Sequence, residues 1–368
     1  MNVPALFGLG TNADVDIRFD GEEQRQWVDV KVNRDQRDKF PLYADGETVT
    51  GKVTIRVKDG KKLEHAGIRV QFLGQIEAFP DKQPNDFISM GQELMAAGEI
   101  RGLQTFAFEF KNVEKQFESY LGTHVKLRYF VRVTISRRLS DIVREKDLWV
   151  YSYKVPPDQN HPIKMEVGIE ECLHIEFEYN KSRYHLSDVI VGKIYFLLVR
   201  IKIKYMELSI LRRESTAGMS PANPPDPETL AKFEIMDGAP VKGEMIPIRM
   251  FLSGYELTPT FRDVNKKFSV RYFLNLVLVD EENRRYFKQQ EITMFREPLP
   301  GMPTAPVAPV ATASAASPVP ESAASPVSSP SPAPAAAASA GAAGSPAPAA
   351  AAVPVEAVVA DQPLLASQ

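Results

Sequence analysis

The chain has 368 residues, with 44 Lys and Arg against 47 Asp and Glu, a formal net charge of −3 at pH 7. That balance excludes a dedicated nucleic-acid binder and a strongly polybasic membrane surface. The single cysteine, Cys172, excludes an internal disulfide, so the fold must rest on burial alone, as suits a reducing cytosol.

At the start, Met1-Asn2-Val3-Pro4-Ala5-Leu6-Phe7 lacks the basic region and the apolar length of a signal peptide. Position 2 is not the glycine of a myristoylation site, and Ala366-Ser367-Gln368 is no prenylation box. The glycines of Gly8-Leu9-Gly10 lack a following phosphate-loop lysine and read as a turn. Strand patterning then takes over. Val53, Ile55 and Val57 alternate with Lys52, Thr54 and Arg56; Ile68, Val70 and Phe72 alternate with Arg69 and Gln71. Phe106, Phe108 and Phe110 follow the same rule, and so does the run Val125 to Ile135, where only Phe130 breaks the polar face. Each is a strand with one wet and one dry face. Asp45-Gly46 and Asp59-Gly60 mark turns. One helix is expected, from an Asp86 cap to a terminating Gly98.

Three prolines between Pro156 and Pro162 predict a stiff connector, since none can join a central strand. Beyond it, Leu173, Ile175, Phe177 and Tyr179 alternate with Cys172, His174, Glu176 and Glu178. Val189 to Val199 is the most apolar run, but it contains Lys193 and is about half a membrane span in length. Membrane contact is therefore expected to be peripheral and borrowed from partners. A single helical turn is expected at Pro227 to Lys232. Next, Ile235 and Met236 precede Asp237-Gly238, a strong reversal signal, and Met245 to Phe251 is expected to return antiparallel. On pattern alone these two side chains either cap the domain's own core or are offered to a partner at a hairpin tip. Asp280-Glu281-Glu282 with Arg284-Arg285 reads as a charged hairpin turn. From residue 298 the chain is almost wholly Ala, Pro, Ser and Val, too poor in packing side chains to fold.

The second half repeats the first. Tyr43 and Gly51-Lys52-Val53 recur as Tyr184 and Gly192-Lys193-Ile194, and Leu127-Arg128-Tyr129-Phe130 recurs as Val270-Arg271-Tyr272-Phe273, at a nearly constant displacement. The period is too long for a solenoid or propeller unit. It predicts an all-β protein of two tandem sandwiches, over 1–155 and 163–297, joined by a connector over 156–162 and followed by a disordered tail over 298–368.

Enzyme parts are not visible. Cys172 and His174 share a strand face with Glu176 and Glu178, an arrangement read as an ordinary strand face because no second ligand motif supports a metal or thiol site. His65, His124, His161, His174 and His185 show no metal-ligand spacing.

Longer stretches carry a resemblance: Ile163 to Glu170, His174 to Ser182, Asp188 to Arg200, Arg262 to Tyr272 and Arg285 to Gln290, supported in the first half by Asp45-Gly46-Glu47, Gly51-Lys52-Val53 and Leu63-Glu64-His65. Over residues 6 to 297 the chain resembles the vacuolar protein sorting-associated protein 26 family, the small arrestin-like subunit of retromer. The resemblance implies two arrestin-like sandwiches and a non-catalytic coat subunit without cofactors. It would sit in the cytoplasm and peripherally on the cytosolic face of the endosome membrane, retrieving transmembrane cargo to the Golgi and the plasma membrane. It further implies that Ile235, Met236, Asp237 and Gly238 dock on retromer's large α-solenoid subunit, of the vacuolar protein sorting-associated protein 35 family. Ile163, Lys164 and Met165, with Phe287 nearby, would form a groove for sorting nexins and cytosolic cargo tails, bound as an added strand. A ligase-recruiting arrestin-domain adaptor usually carries Pro-Pro-x-Tyr in its tail, whereas the last tyrosine here is Tyr286. An enzyme on a sandwich scaffold would need a nucleophile, base and orienter, and none is visible.

Overall fold

Alternation becomes strand pairing throughout the residues that the computed structural model describes: 13–32, 35–80, 83–155, 159–169, 171–219 and 225–298. In the first half, β1 (Ala13–Phe19), β4 (Val49–Val57) and β7 (Leu103–Phe110) form one sheet in that order. The facing sheet runs β2 (Trp27–Lys31), β3 (Arg37–Tyr43), β10 (Ile142–Val150), β9 (Val125–Ser136), β5 (Leu63–Ala78) and β6 (Asn85–Ile100), with β8 (Tyr120–Leu121) beside β9. In the second half, β11 (Ile163–Ile169), β12 (Leu173–Tyr179), β14 (Val189–Val199) and β17 (Met245–Phe251) form one sheet. Its partner runs β13 (Arg183–His185), β20 (Arg285–Phe295), β19 (Phe268–Asp280), β15 (Ile203–Thr216) and β16 (Glu228–Asp237), with β18 (Phe261–Val264) beside β19.

The two plans coincide. The order β1-β4-β7 corresponds to β12-β14-β17, and β3-β10-β9-β5-β6 to β13-β20-β19-β15-β16, with β2 and β11 as additions. β3 runs parallel to β10 and β13 parallel to β20, in sheets that are otherwise antiparallel among the described residues. Tyr43 and Tyr184, recognised as a repeat in the sequence, are both buried and both lie in those parallel pairings. Gly51 and Gly192 share a steric reason as well. A side chain at Gly51 would strike the carbonyl of Arg18 on β1 and the ring of Phe108. One at Gly192 would strike the carbonyl of Glu178, on the corresponding strand β12, and the ring of Tyr179.

Inward residues fill each sandwich: Val53, Ile55, Val70, Phe72, Val131 and Val133 in the first, Ile175, Phe177, Ile194, Leu208, Ile210 and Leu274 in the second. Each such side chain contributes about 1.5–3 kcal/mol by leaving water. Phe130, the residue that broke the alternation, faces outward yet is buried. The Arg128 guanidinium covers its ring at 3.9 Å and is held there by Asp147 and Glu145.

Three local expectations fail. Asp86 to Gly98 is not a helix but most of β6, hydrogen-bonded along its length to β5. Asp86, the expected cap, accepts a bond from Gln75 Nε2 at 2.7 Å across that ladder instead. Tertiary pairing overrides the weak local signal. Likewise Glu228 to Lys232 is extended, with Glu228 already opposite Arg212. Nor do β16 and β17 make a hairpin: β16 pairs with β15 and β17 with β14, so Asp237-Gly238 carries the chain from one sheet to the other. The expected glycine turn at Gly8, the prolines Pro156 and Pro157, and the Ala/Pro/Ser tail from residue 299 lie outside the described residues.

Two buried carboxylates stitch the first-half strands to the second. Glu214 on β15 is 6% exposed and accepts from Tyr120 Oη (2.5 Å), His124 N (2.7 Å) and Thr123 N (3.2 Å). The Tyr120 ring packs on Phe261 of β18 and Phe268 of β19. Glu118, 2% exposed, receives Arg296 Nη2 at 2.8 Å, Arg296 Nε at 3.0 Å and Ser152 N at 3.2 Å. Burial pushes the Glu118 carboxyl up, against the pull of Arg296 and the Ser152 N–H.

Candidate functional site

Ile235 owes its place to a bulge. Met206 faces Met236 and Glu207 faces Glu234, so Ile235 is an extra residue without a partner across the ladder. A bulge bends its strand and re-aims the side chain. Ile235 and Met236 are both half-buried and pack against the core, while Asp237 and Gly238 are exposed. The turn needs the glycine, because Gly238 has a φ of 101°, and its N–H donates to Lys204 O at 2.7 Å. The two readings left open by the sequence thus merge: these side chains cap the core and also present apolar surface.

The surface extends beyond the predicted residues. Phe233 on β16, Val241 in the following loop and Met245 on β17 are all exposed, Val241 by 67%. β16 and β17 are the outer strands of their sheets and approach each other along this side. The sequence signal that could have found Phe233 and Met245 is their place on strands with no outer neighbour, which requires the sheet order to be known.

On the other side of the second sandwich lie β11 and β20. β11 is an outer strand, so its backbone groups away from β12 have no strand partner among the described residues. Ile163 and Met165 point at the core and are half-buried, while Lys164 is exposed. Phe287 on β20 is 49% exposed. Short β13 covers only Thr293 to Phe295, leaving the outer edge of β20 around Phe287 without a strand partner among the described residues. The fold therefore places Ile163, Lys164 and Met165 at one open edge and Phe287 at another, on different sheets. Asn160 fixes the approach to β11: its Oδ1 accepts from Ser182 N (3.0 Å) and Arg183 N (3.1 Å), and its Nδ2 donates to Arg183 O (2.6 Å).

The charged turn is built as a turn. Asp280 accepts from Arg284 Nε at 2.7 Å, Arg284 N at 2.9 Å and Tyr286 Oη at 3.0 Å. Burial works against its charge, but those bonds together hold the carboxyl below the usual carboxylate range. On the outer face of β11 and β12, Glu166 stands opposite Glu176, and both lie with His174 in a group whose ligand atoms are within 4.8 Å of one another. Sequence spacing missed Glu166 because it comes from the neighbouring strand. Cys172 is not part of the group, and no fourth donor joins it among the described residues.

Paired sandwiches in this topology, with apolar surface on free edge strands, define an all-β, arrestin-like protein. A family model described as Vacuolar protein sorting-associated protein 26 matches residues 9–283. Vacuolar protein sorting-associated protein 26 of Schizosaccharomyces pombe is 58% identical over 284 residues, 77% of this chain and 95% of that protein. The 26B proteins of Danio rerio and Homo sapiens are 59% and 57% identical over 295 residues, 80% of this chain and 89% and 88% of theirs. The chain belongs to the vacuolar protein sorting-associated protein 26 family, as the sequence resemblance implied.

Proposed function

We propose that this protein is the arrestin-like adaptor subunit of retromer, acting without catalysis or cofactor in retrieval of transmembrane cargo from endosomes. Its units are a sandwich over 1–155, a connector over 156–162 and a second sandwich over 163–297. The observation that carries the reading is the apolar end of β16, where a bulge frees Ile235 beside half-buried Met236. That surface fits a groove between helices of the large α-solenoid subunit. The expected result is that Ile235→Ser with Met236→Ser leaves the circular dichroism spectrum unchanged and weakens solenoid binding by about a hundredfold or more, roughly 2.7 kcal/mol. Equal binding by the double variant would return both residues to a purely internal role.

Cargo and sorting nexins are assigned to the opposite side of that sandwich. An extended tail adds to the open edge of β11, its backbone supplying affinity, while Phe287 meets an apolar side chain. Phe287→Ala is expected to weaken capture of a cargo tail about tenfold, or 1.4 kcal/mol, with solenoid binding unchanged. Fluorescence anisotropy with a labelled tail, in the presence of the solenoid subunit and a sorting nexin, reads the first effect. A variant that retained full cargo affinity would remove Phe287 from the groove. Among the described residues no helix is long and apolar enough to cross a membrane; attachment to the cytosolic face of the endosome is assigned to partners.

A further inference from the structure

The end of the first sandwich remote from Glu214 gathers three loops. Leu63 faces Ile100, Gly67 faces Ser136, and Arg56 faces Leu103, so the β4–β5, β6–β7 and β9–β10 connections lie at one end. Phe79 and His124, which neighbour the second-half strands, lie at the other end of β5 and β9. The three loops carry Lys58, Lys61, Lys62, Arg101, Arg137 and Arg138 against only Asp59 and Asp141. Lys62 and Arg101 are engaged by Glu64 and Glu99. Lys58, Lys61 and Arg138 have no ion pair among the described residues.

At the tip of the β9–β10 hairpin, Leu139 is 98% exposed. It is held there by a braced turn: Arg137 N donates to Asp141 Oδ1 at 3.1 Å, and Arg137 Nε to Ser140 O at 2.8 Å. Leu103, the first residue of β7, is exposed as well. A leucine lifted clear of the fold, at the same end as unpaired cations, matches the outer layer of an anionic bilayer, which offers negative headgroups above apolar chains. The adjoining depression is lined by Arg56 and Lys58 but also by Asp14 and Asp59. Its mixed charge disfavours a pocket for one particular headgroup and favours general attraction to negative lipid.

We propose that this end of the first sandwich is a membrane-facing surface, which rests on an anionic bilayer through Lys58, Lys61, Arg138 and the tip leucine Leu139. Sequence composition alone argued against such a surface, because the whole chain is nearly neutral; the fold concentrates the cations locally. Each unpaired cation raises partitioning about fivefold, so three give roughly a hundredfold. That is weak for one molecule and effective once several copies are held side by side. The inference does not require the retromer reading, although that reading supplies such an assembly.

The experiment is sedimentation of the full chain with phosphatidylcholine vesicles, with and without phosphatidylserine, at low and physiological salt. Partitioning is expected to rise at least tenfold with phosphatidylserine and to fall with salt. The Lys58→Glu, Lys61→Glu, Arg138→Glu variant is expected to lose that gain, and Leu139→Ser to lose about three- to tenfold at both salts. The same charge change at Lys193 on β14 and at Arg200 and Lys202 in the β14–β15 connection is expected to have less than a twofold effect. Three results would overturn the proposal: equal binding to neutral vesicles, equal losses from the two triple variants, or binding to heparin without binding to anionic vesicles. Solenoid binding by the first triple variant, measured in parallel, keeps this outcome separate from the fate of the retromer reading.

Discussion

Arg296→Ala is expected to destabilise the protein by about 3–5 kcal/mol, the cost of leaving a buried carboxylate without its counter-charge. Glu118 is 2% exposed and two of its bonds come from that guanidinium, which also stacks at 3.6 Å over the Tyr151 ring. Thermal unfolding should show a fall of roughly 10 °C. Burial already raises the Glu118 carboxyl, and removing Arg296 takes away its strongest lowering partner, so the carboxyl moves up further in the variant. An acid whose folded pKa is raised loses stability as pH rises through that value. The deficit relative to the unchanged protein is therefore largest near neutral pH and shrinks on acidification, where Glu118 is protonated in both. Unfolding midpoints measured across that range check the sign. A deficit that grew towards acid would mean that Arg296 acts through packing on Tyr151, not through the carboxylate.

Glu214→Ala is expected to cost a similar amount. It leaves Tyr120 Oη, Thr123 N and His124 N without their acceptor in a region closed over by Phe261 and Phe268. Each orphaned buried donor costs about 1–3 kcal/mol. Glu214→Gln keeps an acceptor oxygen and should lose about half as much. Urea unfolding gives the two losses, and amide exchange shows where they fall, with Thr123 and His124 exchanging faster in the alanine variant. Equal losses in the two variants would mean that carboxylate charge, not the number of acceptors, holds this contact.

The strand plan was legible in the chain because one-sided burial writes a period of two, as at Val53, Ile55 and Val57. The twofold plan was legible from Tyr43 and Tyr184 and from Gly51 and Gly192, whose geometry tolerates little else. What failed were edge strands. β6 and β16 bury little of either face, so their composition carries no alternation, and Asp86 with Gly98 imitated the ends of a helix. The Asp237-Gly238 reversal was real, but sequence could not show that it changes sheets. Contacts such as Tyr120 with Glu214 and Glu118 with Arg296 join residues far apart in the chain, and no local pattern announces them. For the candidate sites, Ile235, Met236 and Phe287 came from resemblance, whereas the bulge at Ile235 and the exposed Phe233, Val241 and Met245 became visible only with the sheets in place.

Gly51 and Gly192 have a historical consequence. Two glycines enforced by the same collision, each against the carbonyl of an equivalent neighbouring strand, are what the copying of one ancestral sandwich would leave behind. The halves differ in their outer strands, β2 in the first and β11 in the second. Divergence was free at those margins and forbidden at the shared collision point. The proposed cargo contact falls on an added margin, β11, whereas the proposed solenoid contact falls on β16, the counterpart of β6, so one docking edge belongs to the shared frame and the other does not.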